Sequence, residues 1–199
     1  MARPRKNDRD AKATTRIESA FWKLLEEMNY SDITVLRLSQ ESGTNRNSFY
    51  YHYKDIDDLA RSAFMHNAGK EVTRKLISVL LPESGKKQNS PDHALWIELL
   101  SHSKRIMLCA RSDSAYLNRL VKELLSGLWF DALGIDAQAL SVTEKLQMDF
   151  VFSGLVSVLG SKEVEETPLI MTELSCTEIG KAAVSTLKRI SKTMLQSNK

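Results

Sequence analysis

Apolar residues recur at helical spacing along most of the chain, and hardly any stretch shows the strict alternation of a half-buried strand. The first run places Ile17, Ala20, Phe21, Leu24 and Leu25 on one stripe and predicts a helix from about Asp10 to Met28, with Trp22 off the centre of the stripe and partly exposed. Thr34 is a natural N-cap, flanked by Ile33 and Leu38 at the positions of a hydrophobic staple, and Val35 and Leu38 share a face. Gly43 stops that helix, and Asn45 caps another that opens with Arg46, Asn47 and Ser48 and turns Phe49 inward. The run Phe49–Tyr53 has strand-like propensity. It is short, follows a helix cap and has no partner strand, so it reads as helix. Asp55 caps the next helix, with Asp58 at the reciprocal position.

The remainder continues in helices. One runs from Ile56 to about Leu81, burying Phe64, Val72, Leu76, Val79 and Leu80, and ends at Pro82. The loop 82–91 is rich in Pro, Gly, Ser and Lys. Ser90 and Pro91 then start a helix carrying Trp96, Leu99 and Met107, and another follows from about Ser114 to Trp129. Gly134 and Asp136 mark a turn. Ser141 and Glu144 make a capping-box pattern before a helix that is apolar around most of its circumference and therefore calls for burial on several sides. It ends at Gly160. Ser175 and Glu178 repeat the capping pattern before a last helix with Ile179, Ala183, Leu187, Ile190 and Met194 on one stripe. The fold class is all-α. Two domains are expected, residues 1–55 and 56–199.

The segment around Gly43 is the one that carries chemistry. Two short helices about a glycine turn, the second opening with hydrogen-bonding side chains, suit a helix-turn-helix whose second helix enters the major groove. There Arg pairs bidentately with guanine, Asn with adenine, and Ser or Thr with either. Tyr50, His52 and Lys54 have the chemistry to hold phosphates. The same caps and surface cations would also suit a polar turn in an ordinary helical bundle.

Residues 12–60 resemble the DNA-binding domain of the tetracycline-repressor (TetR) family of bacterial regulators. The matching positions are Arg16-Ile17 and Ala20, Tyr30, Ile33-Thr34-Val35, Gly43, Phe49-Tyr50, His52-Tyr53 and Leu59. The phrase TNRNSFYYHYKDIDDL carries most of the similarity. The resemblance implies an N-terminal three-helix helix-turn-helix domain followed by a C-terminal helical domain that binds a ligand and dimerises. It implies base contacts from Thr44, Arg46, Asn47 and Ser48, and phosphate contacts from Thr34, Tyr50, His52, Lys54 and Arg16. Ile56 stands where the family often has a lysine, which removes one phosphate contact. Ser39 and Ser42 replace common alanines, and Asn29 replaces a frequent glycine with a residue that tolerates the left-handed conformation.

Charge agrees with a polyanionic partner. The net charge of +3 is unevenly spread, with Arg3, Arg5, Lys6, Arg9, Lys12 and Arg16 crowded at the start. Such an arm can follow phosphates or enter a minor groove; it equally suits a solubilising terminus. It is too polar for a secretory signal, and no apolar run is long enough to cross a membrane. Cys109 and Cys176 do not make a disulfide framework, so a reducing cytoplasm is expected. No nucleophile elbow, phosphate-binding glycine loop, dinucleotide fingerprint or zinc pattern is present, so neither enzyme activity nor a cofactor or metal is expected. His102 and Cys109 lack further ligands to make a metal site.

The last two helices suggest a homodimer, with Leu146, Phe150, Gly154, Ile179, Ala183, Leu187 and Ile190 at the interface and Gly180 permitting close approach. An intramolecular core would explain the same stripe. The resemblance implies a pocket for a small effector; Trp96, Leu99, Met107, Trp129, Phe130 and Phe150 are the candidates to line it. The expected function is a sequence-specific transcriptional regulator, a ligand-responsive repressor binding a palindromic operator as a dimer. The alternative is a helical adaptor that acts through protein partners without reading DNA.

Overall fold

The computed structural model describes residues 6–67, 74–75, 78, 103–161, 173–174 and 177–197. These are helices and turns, with no strand among the described residues. The helices are α1 (Lys6–Glu27), α2 (Val35–Ser42), α3 (Arg46–His52), α4 (Ile56–Asn67), α5 (Ala115–Leu133), α6 (Val142–Leu159) and α7 (Glu178–Ser197), with a 3-10 turn at Tyr30–Asp32 and a helical stretch at 103–111. The described residues fall in two compact units, one within Met1–Asn67 and Ser112–Leu117, the other within Ala68–Arg111 and Asn118–Lys199. α4 therefore lies in the first unit, and the units divide after Asn67 rather than at the 55/56 division read from the sequence.

In the first unit α1 packs against α2, α3 and α4. Its stripe of Ile17, Ala20, Phe21, Leu24 and Leu25 is buried as the spacing predicts. Trp22 is buried too, at 5% exposure, which corrects the expectation of partial exposure. Its ring lies edge-on to Phe21 and 6.4 Å from Phe64 of α4, so a second helix covers the flank that the α1 stripe alone leaves open. α1 also begins earlier than the apolar pattern indicates, because its first turns are polar and carry no periodic signal.

Local signals set the short helices. The Thr34 side chain accepts from the Arg37 N–H at 3.2 Å, and Ile33 and Leu38 are both buried beside it. Gly43 ends α2 at φ 62°, the left-handed conformation that costs a Cβ-bearing residue about 1 kcal/mol or more. Asn45 caps α3 by accepting from Ser48 N–H at 2.7 Å. Asp55 accepts from Asp58 N–H, and the Asp58 carboxylate reaches back to Lys54 N–H, one residue earlier than a standard capping box. Asn29 is extended, not left-handed as its place in the family pattern suggests.

In the second unit Gly134 takes φ 65° and turns the chain after α5. Ser141 and Glu144 form the complete capping box of α6. Gly160 ends α6 against the 103–111 stretch, where a Cβ would stand 2.7 Å from the Ala110 carbonyl oxygen. α6 buries Met148, Phe152 and Val156, whereas Val142, Leu146 and Phe150 on another face are exposed. The sequence called for burial on several sides; within one chain the described residues bury one. At the start of α7 the Thr177 hydroxyl accepts from Gly180 N–H; Ser175 of the expected Ser175–Glu178 box lies outside the described residues. The expected loop 82–91 and most of the helix expected beyond Asn67 lie outside them as well.

Candidate nucleic-acid interface

α3 is two turns long and sits on the first unit through Phe49, which is 1% exposed. Tyr53, its C-cap, is buried on the same side. Helical spacing turns Asn47 and Tyr51 to the opposite side, with Tyr50 and Arg46 on the flank between them and Phe49, and all four are exposed. The outward face thus carries a guanidinium, a carboxamide and two phenols side by side. Tyr51 is absent from the contacts expected from the sequence; its position one turn beyond Asn47 is the signal that would have found it.

The other expected contact residues divide. Ser48 is half-buried at the start of α3, with its backbone N–H engaged by Asn45. Thr44 is half-buried, and its hydroxyl lies 2.7 Å from that of Ser42, so it takes part in the turn itself. Ser42 also donates to the Leu38 carbonyl at 2.6 Å, which locks the end of α2. Thr34, Lys54 and Arg16 are exposed. His52 is half-buried, its ring edge-on to Tyr51. Arg37, unassigned in the sequence reading, is exposed in the first turn of α2, with its guanidinium 3.5 Å from the Met28 sulfur.

Behind α3 lies a polar cluster the sequence does not announce. The Tyr53 hydroxyl donates to Glu18 Oε1 at 3.0 Å, and His66 Nδ1 lies 2.8 Å from the same oxygen. Burial, and next the Glu18 charge, push the Tyr53 phenol well above its ordinary range, so it stays a donor. A second cluster joins Tyr30, Asp57 and Tyr116. The Tyr30 hydroxyl bonds the Asp57 carboxylate, its ring stacks on Tyr116, and the Tyr116 hydroxyl donates to the Asp57 carbonyl at 2.8 Å. Burial and the Asp57 bond raise Tyr30 strongly.

The described residues among those expected in an effector pocket are placed differently from one another. Met107 and Trp129 are buried, and Phe150 is 80% exposed, which takes it out of any enclosed site; Trp96 and Leu99 lie outside the described residues. Phe130 does line a cavity of about 190 Å³ between α5 and α6, with Leu140, Met148 and Phe152 on the apolar side and Lys122 and Lys145 among its polar groups. Of the expected interface residues, Leu146, Phe150, Gly154 and Ile179 are exposed and Ala183 is half-buried. Leu187 and Ile190 are corrected: at 3% and 0% exposure they pack into their own chain. Among the described residues there is no group of three or more side chains suited to hold a metal, and burial pushes the Cys109 thiol up to about 12. No helix among them is long and apolar enough to cross a membrane.

No protein-family model and no curated protein matches the chain. Among solved structures, the chain is similar to one described as a transcriptional regulator of the TetR family from Vibrio parahaemolyticus, with 16% sequence identity, 90% of this chain and 86% of that chain covered, and a TM-score of 0.27.

Proposed function

We propose that this chain is a sequence-reading DNA-binding transcriptional regulator of the TetR type, with α2 and α3 as its helix-turn-helix. The observation that carries the reading is the outward face of α3, where Arg46, Asn47, Tyr50 and Tyr51 stand exposed on a helix capped by Asn45 and anchored by Phe49. Arg46 and Asn47 read base edges, with Ser48 and Thr44 beside them. Tyr50, His52, Lys54, Thr34 and Arg16 hold phosphates. The chain acts in the cytoplasm as a homodimer on a palindromic operator, and a small effector releases it, which makes it a repressor.

Support for the dimer comes from Val142, Leu146 and Phe150, which repeat every fourth residue along α6 and are exposed, with Ile179 of α7 exposed as well. An apolar stripe of this kind is costly in water and is covered when two copies meet about a two-fold axis. Two recognition helices then address successive major grooves. We place the effector at the cleft of about 190 Å³ beside Phe130.

The test is fluorescence anisotropy with duplex DNA from upstream of the chain's own gene, against a scrambled duplex, at two salt concentrations. The reading expects a preference that survives the higher salt and is lost in Arg46→Ala and Asn47→Ala. Equal binding to both duplexes that collapses with salt would leave only non-specific attraction and would favour the adaptor.

A further inference from the structure

α3 is too short to fix its own direction. Its seven residues make two turns, with one side chain, Phe49, fully buried beneath them. A helix held at one central point pivots about it unless an end is tied. At its start α3 is held to α2 only through the turn, where Thr44 N–H donates to the Ser39 carbonyl at 3.1 Å, and the Asn45 side chain caps its own helix by accepting from Ser48. The other end is tied by side chains. Tyr53, the C-cap, donates to Glu18 of α1 at 3.0 Å, and Glu18 is only 13% exposed at its side chain. His66, near the end of α4, meets the same carboxylate oxygen at 2.8 Å. One carboxylate on α1 therefore joins the far ends of α3 and α4. Neither bond belongs to a helix cap, and both span long stretches of chain.

We infer that Glu18 is a positioning residue for DNA reading, which sets the direction of α3 through Tyr53, and that His66 makes this hold proton-dependent. The inference rests on the DNA-binding reading of α3. A 10–20° change of helix direction moves side chains at the end of α3 by more than the tolerance of base-edge hydrogen bonds. Glu18 touches no DNA in this arrangement; it acts through Tyr53. α1 presents Glu18, the α3 cap presents the Tyr53 hydroxyl, α4 presents His66, and Asp58 of α4 adds negative charge on the Tyr53 side.

A neutral imidazole holds Glu18 only in the tautomer that keeps its proton on Nδ1, whereas the imidazolium holds it as an ion pair whatever its history. The added hold is thus present when His66 is protonated and absent when it is neutral. DNA affinity follows in the same direction. His66 is 67% exposed at its side chain, so the effect has the size of a solvent-screened pair, about two- to fivefold in affinity.

The experiment compares wild type, Glu18→Gln, His66→Gln and Tyr53→Phe. Each is titrated with the upstream duplex at about pH 5.5 and about pH 8, the span over which histidines ordinarily change charge. The same proteins without DNA are followed by hydrogen exchange of the α3 amides, expressed as protection relative to the unfolded chain. Wild type is expected to bind about two- to fivefold more tightly at the lower pH, relative to the same ratio in His66→Gln. His52, near the DNA face, is present in both, so the comparison isolates His66. Glu18→Gln keeps an acceptor for Tyr53 and is expected to fold, to lose the pH-dependent part and to lower α3 protection at low pH. Tyr53→Phe is expected to lower affinity at both pH values. If all four proteins share one pH profile and one α3 protection, Glu18 is a stability contact only and the inference falls. If no protein prefers the upstream duplex yet α3 protection still follows His66, the hold on α3 stands and the DNA reading falls.

Discussion

α1 and α6 are both long helices rich in apolar residues, yet they solve the problem of burial differently. α1 gathers its large apolar side chains on one side, and α2, α3 and α4 cover them, Trp22 included. α6 spreads its apolar residues all round and buries only Met148, Phe152 and Val156 in its own chain, leaving Phe150 at 80% and Val142 at 76% exposure. The first unit thus covers the apolar stripe of α1 within one copy of the chain. The second has a surplus of apolar surface, which a single copy leaves in water. On the function proposed above, the first unit would be the rigid DNA-reading head and the second would offer the face that a second copy completes.

The contrast can be broken with two phenylalanines. Phe21→Ala removes a fully buried ring from α1 and is expected to cost about 3–5 kcal/mol in urea unfolding. Phe150→Ala removes an exposed ring and is expected to change the stability of the isolated chain by less than about 0.5 kcal/mol. A large loss at Phe150, independent of protein concentration, would mean that its own chain covers it.

Charging the exposed stripe probes the same contrast at the level of assembly. Leu146→Asp with Phe150→Asp is expected to raise the dimer dissociation constant at least about tenfold, the equivalent of about 1.4 kcal/mol. Sedimentation equilibrium reads this directly. A chain that stays dimeric after both changes associates through another face.

Within the first unit, Asn45→Ala is expected to cost about 1 kcal/mol, because it removes the acceptor for Ser48 N–H, while Asn45→Gly costs only a few tenths. Equal losses from the two substitutions in thermal unfolding would show that the side chain is not the cap.

The smallest effect is electrostatic. The Ser141 hydroxyl and backbone N–H bond the Glu144 carboxylate and hold it below its ordinary range. A lowered folded-state pKa gives stability that is present above the unfolded value and lost as pH falls through the folded one. The group is exposed, so the expected signature is a slight fall in Tm at acid pH that Glu144→Gln abolishes.

Features that depend on neighbours in sequence were legible in advance. Thr34, Gly43, Asn45, Asp55 and Ser141 each act within a few residues, and each cap or turn forms where its residue type predicts. The inward turn of Phe49 follows from the same local spacing. At the start of α7 the structure adds a cap the sequence reading did not single out, the Thr177 hydroxyl accepting from Gly180 N–H.

What the sequence by itself determined is therefore the helical class, the caps, and the set of hydrogen-bonding side chains at the start of α3, because these arise from periodicity and from bonds between near neighbours. Only the tertiary structure decided which apolar residues of α6 and α7 face inward, that Trp22 is covered, that Phe150 leaves the candidate pocket, and that Glu18 meets Tyr53 and His66 across 35 and 48 residues of chain. A stripe tells which side of a helix is apolar. It does not tell how many neighbours come to cover it, since burial and long-range hydrogen bonds are properties of how the helices pack.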